Sequence, residues 1–253
     1  MIALSLQSGS NGNCIYVEAG NVSLLFDAGI SGKQASRRLK ARGRDPHQCR
    51  ALIISHDHGD HIRCAGVYQR KFGLPIYATE PALARVAYRM GHLSEVRHFK
   101  PGDELAFGQV RVETVPTPHD VVDGVAFVVE HAGKRLGILT DLGHPFEGLG
   151  PLLSELDGVF LESNYDPDML EKGAYPPALK ARIRGPGGHL SNIEAARLVA
   201  DHAGDRLQWV ALAHLSENNN TPRLAVNTHR RHVGNGRAIQ AMSRYEVGPI
   251  LEV

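Results

Sequence analysis

The sequence predicts an α+β fold in which two β-sheets pack face to face with helices outside. Three observations lead there. Short apolar strands recur in both halves of the chain, helical patterns separate many of them, and the strongest His and Asp clusters fall where apolar strands end. At 253 residues the chain is expected to be one domain spanning residues 1–253, because α/β and sandwich proteins reach that size as single units. With 42% hydrophobic and 22% charged residues the composition is that of a folded soluble protein.

The chain opens as a meander: strands at 3–6, 14–18 and 23–26, the last two joined by the hairpin signal Gly20-Asn21. A helix over 33–41 follows, then an apolar strand at 51–54. A helix is expected over 62–71, stopped by Gly73, then a strand at 74–78 and a helix over 81–90 with Pro81 in its first turn. The middle is strand-rich, with runs at 110–115, 125–130 and 135–139 and a Gly133-Lys134 turn between the last two. Strands at 159–161 and 209–212 follow, separated by helical stretches that include 192–202, where Ser191 and Glu194 form a capping box. No repeat, low-complexity tract or linker interrupts the pattern.

Several function classes are disfavoured at once. No apolar run approaches a membrane span, and the N-terminus lacks the basic start and long apolar core of a secretory signal. Cys14, Cys49 and Cys64 are odd in number, far apart and without CxxC spacing, so neither a disulfide framework nor a thiolate zinc site is indicated and a reducing cytoplasm fits best. A net charge of +1 gives no global attraction for polyanions. Two local basic clusters remain: Arg37, Arg38, Lys40, Arg42 and Arg44, and Arg223, Arg230, Arg231 and Arg237.

The chemistry concentrates in Ile54-Ser-His-Asp-His-Gly-Asp-His61, directly after the strand at 51–54. Imidazole and carboxylate are the ligands a borderline divalent transition ion prefers, and a loop leaving a buried strand can fan them out toward two ions. A dinuclear centre needs further ligands from other strand ends, and three stand out. His119 lies in Thr117-Pro118-His119-Asp120, Asp141 ends Gly137-Ile-Leu-Thr-Asp141, and His214 follows Val210-Ala-Leu-Ala213. Together they make two balanced sets. His56, His58 and His119 would hold one ion, Asp60, His61 and His214 the other, with Asp141 bridging. Asp27, closing Leu24-Leu-Phe-Asp27, is cast as a hydrogen-bond acceptor that orients a ligand histidine.

In that order, Asp27, the HxHxDH segment at 56–61, His119, Asp141 and His214 resemble the sequential motifs of the metallo-β-lactamase superfamily. Further segments resemble its YycJ/WalJ-like exonuclease group: Ser8-Gly-Ser-Asn-Gly-Asn-Cys14, Leu161-Glu-Ser-Asn-Tyr-Asp166, Gly188-His-Leu-Ser-Asn192 and His214-Leu-Ser-Glu-Asn-Asn-Asn220. Tyr165 stands where that group usually carries His. The resemblance implies an αββα four-layer sandwich of two mixed sheets with flanking helices. It also implies two divalent metal ions and 5′ to 3′ exonuclease activity on DNA. Gly188-His-Leu-Ser-Asn192 is also similar to a motif of β-CASP nucleases whose histidine sits beside the scissile phosphate, but between Asp141 and His189 there is no room for a β-CASP insert.

Two ions would lower the pKa of water from 15.7 toward about 7 and act as Lewis acids on a phosphate oxygen. Asp60 could accept a proton from that water, and His189 could hydrogen-bond the phosphoryl group or protonate the leaving oxygen near a helix N-terminus. Ser10, Asn11, Asn13, Asn164, Ser216 and Asn218, with His189, are the expected substrate contacts, since amides and hydroxyls at turns suit phosphate. The expected partner is nucleic acid, DNA favoured over RNA, and no membrane. The ions are zinc, manganese or iron, all compatible with mixed imidazole and carboxylate ligation. Two other functions share the pattern: hydrolysis of a small ester, thioester or lactam, and a non-catalytic nucleic-acid-binding or regulatory module. A redox diiron role is disfavoured because the second motif position is His58 and not a carboxylate.

Overall fold

The computed structural model describes residues 1–253. The chain begins β1 (Ile2–Gln7), β2 (Cys14–Ala19), β3 (Val22–Phe26), α1 (Gly32–Lys40), β4 (Ala51–Ile53), α2 (Gly59–Ile62) and α3 (Ala65–Phe72). It continues β5 (Ile76–Thr79), α4 (Glu80–Met90), β6 (Val96–Phe99), β7 (Glu104–Phe107), β8 (Val110–Pro116) and β9 (Val125–His131). Then come β10 (Lys134–Leu139), α5 (Leu149–Ser154), β11 (Gly158–Glu162), α6 (Pro167–Lys172), α7 (Pro177–Arg184) and α8 (Asn192–His202). The chain ends β12 (Trp209–Ala213), α9 (Pro222–Val233), β13 (Ala238–Ala241) and β14 (Leu251–Glu252). The strands belong to two mixed sheets. No helix is long and apolar enough to cross a membrane. The chain divides into two compact units: Met1–Pro116, Val121–Ala132 and Ser243–Glu252, and Thr117–Asp120, Gly133–Met242 and Val253.

The first unit holds the sheet ordered β14-β1-β2-β3-β4-β5-β6. Its start is the antiparallel meander, turning at Gly20-Asn21 so that Ala19 pairs with Val22; from β3 to β6 the pairing is parallel. Parallel neighbours need crossovers, and α1, α3 and α4 supply them. β4 is buried throughout, as expected for a strand covered on both faces. β7, β8 and β9 pair antiparallel, and β8 alternates buried and exposed residues from Val110 to Thr114. Phe26 of β3 and Phe127 of β9 meet with ring centroids 5.1 Å apart, so faces from both sheets share this core. Truncating either ring would cost about 3–5 kcal/mol.

The second unit is built on the wholly parallel run β10-β11-β12-β13. β11 and β12 are buried at every position. Because these strands point the same way, everything that follows their last residues emerges at one edge. Asp141 lies just past β10, Glu162 ends β11 and His214 follows β12. Topology alone therefore gathers three chemistry-bearing residues.

Local differences from the sequence expectation have physical causes. The helix expected over 62–71 is broken into α2 and α3, because the Cys64 N–H donates to the Ala28 carbonyl (3.0 Å) across the sequence. Gly73 does end α3, in the left-handed conformation at φ 71°. β5 starts at Ile76, two residues late, since Pro75 has no N–H to pair. The turn after β9 sits on Ala132 and Gly133, one residue early, both with positive φ. The strands β6, β7, β13 and β14, only two to four residues long, are too short to be read from sequence.

Candidate metal centre

In the first unit the HxHxDH segment leaves β4 and folds directly into α2, where the His61 N–H donates to the His58 carbonyl (2.9 Å). Asp27, turning out of β3 with φ 63°, is the anchor. Its Oδ1 accepts from the Ser55 N–H (2.8 Å) and Ser55 hydroxyl (2.9 Å), and its Oδ2 lies 2.7 Å from His61 Nδ1. The Ser55 hydroxyl also lies 2.9 Å from His56 Nδ1. An imidazole whose Nδ1–H donates to a carboxylate presents its lone pair on Nε2, the form a metal ligand requires. The rings of His56 and His61 are 4.1 Å apart and those of His56 and His58 4.9 Å, so three imidazoles face one small region. Asp60 Oδ2 lies 3.5 Å from His61 Nε2, and the Asn13 amide reaches both atoms, at 3.2 and 2.9 Å.

Three segments meet tightly behind this loop. The Asn13 N–H donates to the Asp60 carbonyl (2.7 Å), and the Gly29 N–H donates to the Asn13 carbonyl (2.9 Å). A Cβ on Gly29 would lie 1.6 Å from the Asp60 carbonyl oxygen. Only glycine permits the approach.

In the second unit Asp141 and His214 also turn out of their strands with positive φ, 56° and 55°. Non-glycine residues rarely adopt this conformation, which costs of order 1–3 kcal/mol and clusters at functional sites. Asp27, Asp141 and His214 thus share one device for swinging a side chain off a strand end. His119 Nδ1 lies 2.9 Å from the Gly188 carbonyl, which fixes its proton there and turns Nε2 toward Asp141, 3.7 Å from Oδ1. His214 Nε2 stands 3.6 Å from the same oxygen. The spacing leaves these atoms too far apart to hydrogen-bond yet close enough to share an ion.

Glu162 is the residue that sequence reasoning gave no role. It is fully buried and accepts from the Leu142 N–H (2.9 Å) and Leu190 N–H (3.3 Å) on Oε2, while Oε1 lies 2.6 Å from His189 Nδ1 and 3.7 Å from His214 Nδ1. Burial alone would raise its pKa, but the charge and hydrogen bond of His189, with the His214 imidazole nearby, outweigh burial and hold the carboxyl well below the usual carboxylate range. His189 is partly exposed; with Nδ1 committed to Glu162, Nε2 is the nitrogen left for chemistry. It precedes the N-cap of α8, whose first donors are taken by the Ser191–Glu194 capping box, so Glu162 and not the helix end sets its orientation. The signal in sequence was a lone acid ending an apolar strand, the same signal that marked Asp141.

The expected substrate contacts divide. Asn13 is buried against Asp60 and His61, and Asn164 is buried with its amide on the His214 carbonyl (2.8 Å) and beside Nδ1 (3.1 Å), so both brace ligand candidates. Asn218 bonds the Tyr175 hydroxyl (2.9 Å), and the Ser216 hydroxyl accepts from the Asn219 N–H (3.3 Å). Ser10 is exposed and Asn11 half-buried on the loop after β1. Asn220 ties the strand ends together, donating to the carbonyls of Ser163 (2.9 Å) and Asn164 (3.0 Å). Tyr165 is buried and bridges to Ser191.

The donor set fits a divalent transition ion: imidazoles and buried carboxylates, with Asp141, Glu162, His189 and His214 offering atoms all within 4.8 Å of one another. Two carboxylates buried this close repel without a cation, which is the cost a metal removes.

Fold and donor set define a metal-dependent hydrolase, and the chain belongs to the metallo-β-lactamase superfamily, whose family model matches residues 8–202. It is 33% identical over 222 residues to exodeoxyribonuclease YycJ of Bacillus anthracis, covering 87% of this chain and 84% of that one. It is 35% identical over 224 residues to exodeoxyribonuclease WalJ of Streptococcus pneumoniae, covering 87% and 83%. The fold is similar to that of the metallo-β-lactamase fold protein YhfI from Bacillus subtilis (TM-score 0.72, 18% identity, 98% of both chains).

Proposed function

We propose that the chain is a two-metal phosphodiesterase that acts as a 5′ to 3′ exonuclease on DNA, residues 1–253 working as one catalytic domain. His56, His58 and His119 would hold one ion, Asp60, His61 and His214 the other, and Asp141 both, the ions being zinc, manganese or iron. Bound there, they supply a nucleophile from water at neutral pH and polarise the phosphoryl group.

The observation that carries the reading is His189. A histidine whose Nδ1 is fixed 2.6 Å from a buried carboxylate is aimed by that contact and not free to rotate, and the carboxylate favours the imidazolium form, in which Nε2 carries the proton to donate. Beside Asp141 and His214, its Nε2 suits hydrogen bonding to a phosphoryl oxygen or protonating the departing 3′ oxygen. Asp60, hydrogen-bonded by Asn13, is the acceptor for the proton that the attacking water gives up. The names of the YycJ and WalJ relatives support DNA and exonucleolytic cleavage, and the polarity follows the group the motifs resemble. Three free cysteines, two of them buried, suit a reducing cytoplasm.

Digestion of end-labelled single- and double-stranded DNA and RNA with metal-reconstituted protein tests the proposal. Mononucleotides leaving the 5′ end of DNA are expected. No cleavage of any polymer, with turnover of S-lactoylglutathione or nitrocefin instead, would replace it with the small-molecule hydrolase.

A further inference from the structure

A cleft of about 360 Å³ lies in the first unit between the end of α1 and the segment before β14, lined by Arg37, Arg38, Arg42, Tyr245, Glu246 and Val247. Three arginines line it with one glutamate. Arg38 is only 5% exposed, and it donates to the Leu6 carbonyl (2.9 Å), the Gln7 side-chain oxygen and the Tyr245 carbonyl. Arg42 donates to the carbonyls of Gly248 (3.1 Å) and Val247 (3.4 Å). Every one of these acceptors is a neutral oxygen. The hydrogen bonds fix the guanidinium groups without cancelling their charge, and a nearly buried charge so placed favours an anion beside it. Arg37 is exposed at the rim, and Tyr245 presents its ring to solvent at 62% exposure.

The cleft is connected to the metal loop residue by residue. Arg244 packs on Gly9, where a Cβ would lie 2.8 Å from its guanidinium, and its carbonyl accepts from the Asn11 amide (3.3 Å). Arg63 donates to the Asn11 carbonyl and to the Gly29 carbonyl (2.8 Å), and Asn13 closes the loop on Asp60 and His61. Arginines 63, 244, 37, 38 and 42 therefore mark a path from the HxHxDH segment to Tyr245. The chain as a whole carries only +1, so this concentration is local.

We propose that this cleft seats the single-stranded nucleic acid several nucleotides away from the scissile bond. Arg37, Arg38 and Arg42 hold the phosphodiester backbone, and one base stacks on Tyr245. The inference rests on the phosphodiesterase reading and adds to it a second contact that requires a polymer. Backbone arginines with a single aromatic face accept any base, so the seat selects length and not sequence.

The test measures affinity of the metal-loaded protein for fluorescein-labelled oligothymidylates with phosphorothioate linkages, from two to twelve residues, by fluorescence anisotropy. Affinity should rise with length and then level off once the strand reaches the cleft. Tyr245→Ala and Arg37→Glu, both at exposed positions, should each weaken the twelve-residue strand about tenfold and the dinucleotide less than twofold. Arg37→Glu should also lower the slope of log affinity against log salt by about 0.7 or more. Equal loss at both lengths, no loss at either, or polyglutamate binding as tightly as the oligonucleotide would overturn the proposal. Wild-type turnover of bis(p-nitrophenyl) phosphate separates the two failures. If the small diester is cleaved while affinity is independent of length, the cleft alone is misassigned; if it is neither cleaved nor bound, both readings fall.

Discussion

Replacing Glu162 by Gln keeps the shape of the side chain and removes one acceptor, and the structure dictates the consequence. The carboxylate accepts at both oxygens, from His189 Nδ1 on one side and from the backbone N–H groups of Leu142 and Leu190 on the other. An amide can accept on one side only. If its oxygen stays on the backbone pair, its NH2 faces His189 Nδ1, which must then carry its proton on Nε2. If the amide is reversed, two buried N–H groups face another donor. The first arrangement preserves stability and reverses the tautomer of His189; the second costs about 1–3 kcal/mol per unsatisfied group. Losing a charge-assisted bond of roughly 1.5–3 kcal/mol predicts a fall in kcat of about 10- to 150-fold. The assay is hydrolysis of bis(p-nitrophenyl) phosphate across pH 6–9, with metal content measured by mass spectrometry on the same sample. Two ions retained, with kcat reduced and the pH profile displaced, is the expected result. Full activity, or loss of metal in proportion to activity, would refute the argument that Glu162 works by positioning His189.

Other outcomes follow from the same geometry. Asp141→Ala should abolish metal binding and hydrolysis together, whereas His189→Ala should keep the metal and lower kcat about 10²–10⁴-fold, checked by metal analysis and steady-state kinetics. Gly29→Ala places a methyl group 1.6 Å from the Asp60 carbonyl oxygen, so it should destabilise the protein by more than about 2 kcal/mol in urea unfolding and disturb metal affinity; an unchanged midpoint would contradict the close packing. Burial, with a smaller contribution from His232, pushes the His229 imidazole down to about 3. Below about pH 6.5 the unfolded chain therefore takes up a proton that the native state refuses, and stability falls as pH drops toward 3 at about 1.4 kcal/mol per unit from this group. His229→Gln should flatten that slope between pH 6.5 and 5; identical slopes would show that His229 titrates freely in the fold.

The ligand candidates were legible because each falls within two residues of the end of an apolar run: Asp27 after Phe26, His56 two past Ile54, Asp141 two past Leu139 and His214 after Ala213. That pattern reports position in a sheet, and a parallel sheet converts position into proximity. The positive φ of Asp27, Asp141 and His214 was not legible, since nothing in a strand-end sequence distinguishes a side chain that swings off the strand from one that continues it. Glu162 escaped assignment because its role depends on contacts with Leu142, His189 and Leu190, none adjacent in sequence. The sequence places Asn164 among the expected substrate contacts, and only the fold shows it buried against His214. The break between α2 and α3 likewise comes from a hydrogen bond between Cys64 and Ala28, which no local periodicity announces.

The proposed function is that of a phosphodiesterase working with two ions. Titrating metal-free protein with manganese or zinc while following release of mononucleotides from 5′-labelled single-stranded DNA tests it most directly. No release is expected without metal, followed by a rise that levels off at two ions per chain, with no rise at any metal level for Asp141→Ala. Saturation at one ion, or cleavage that survives complete metal removal, would contradict it.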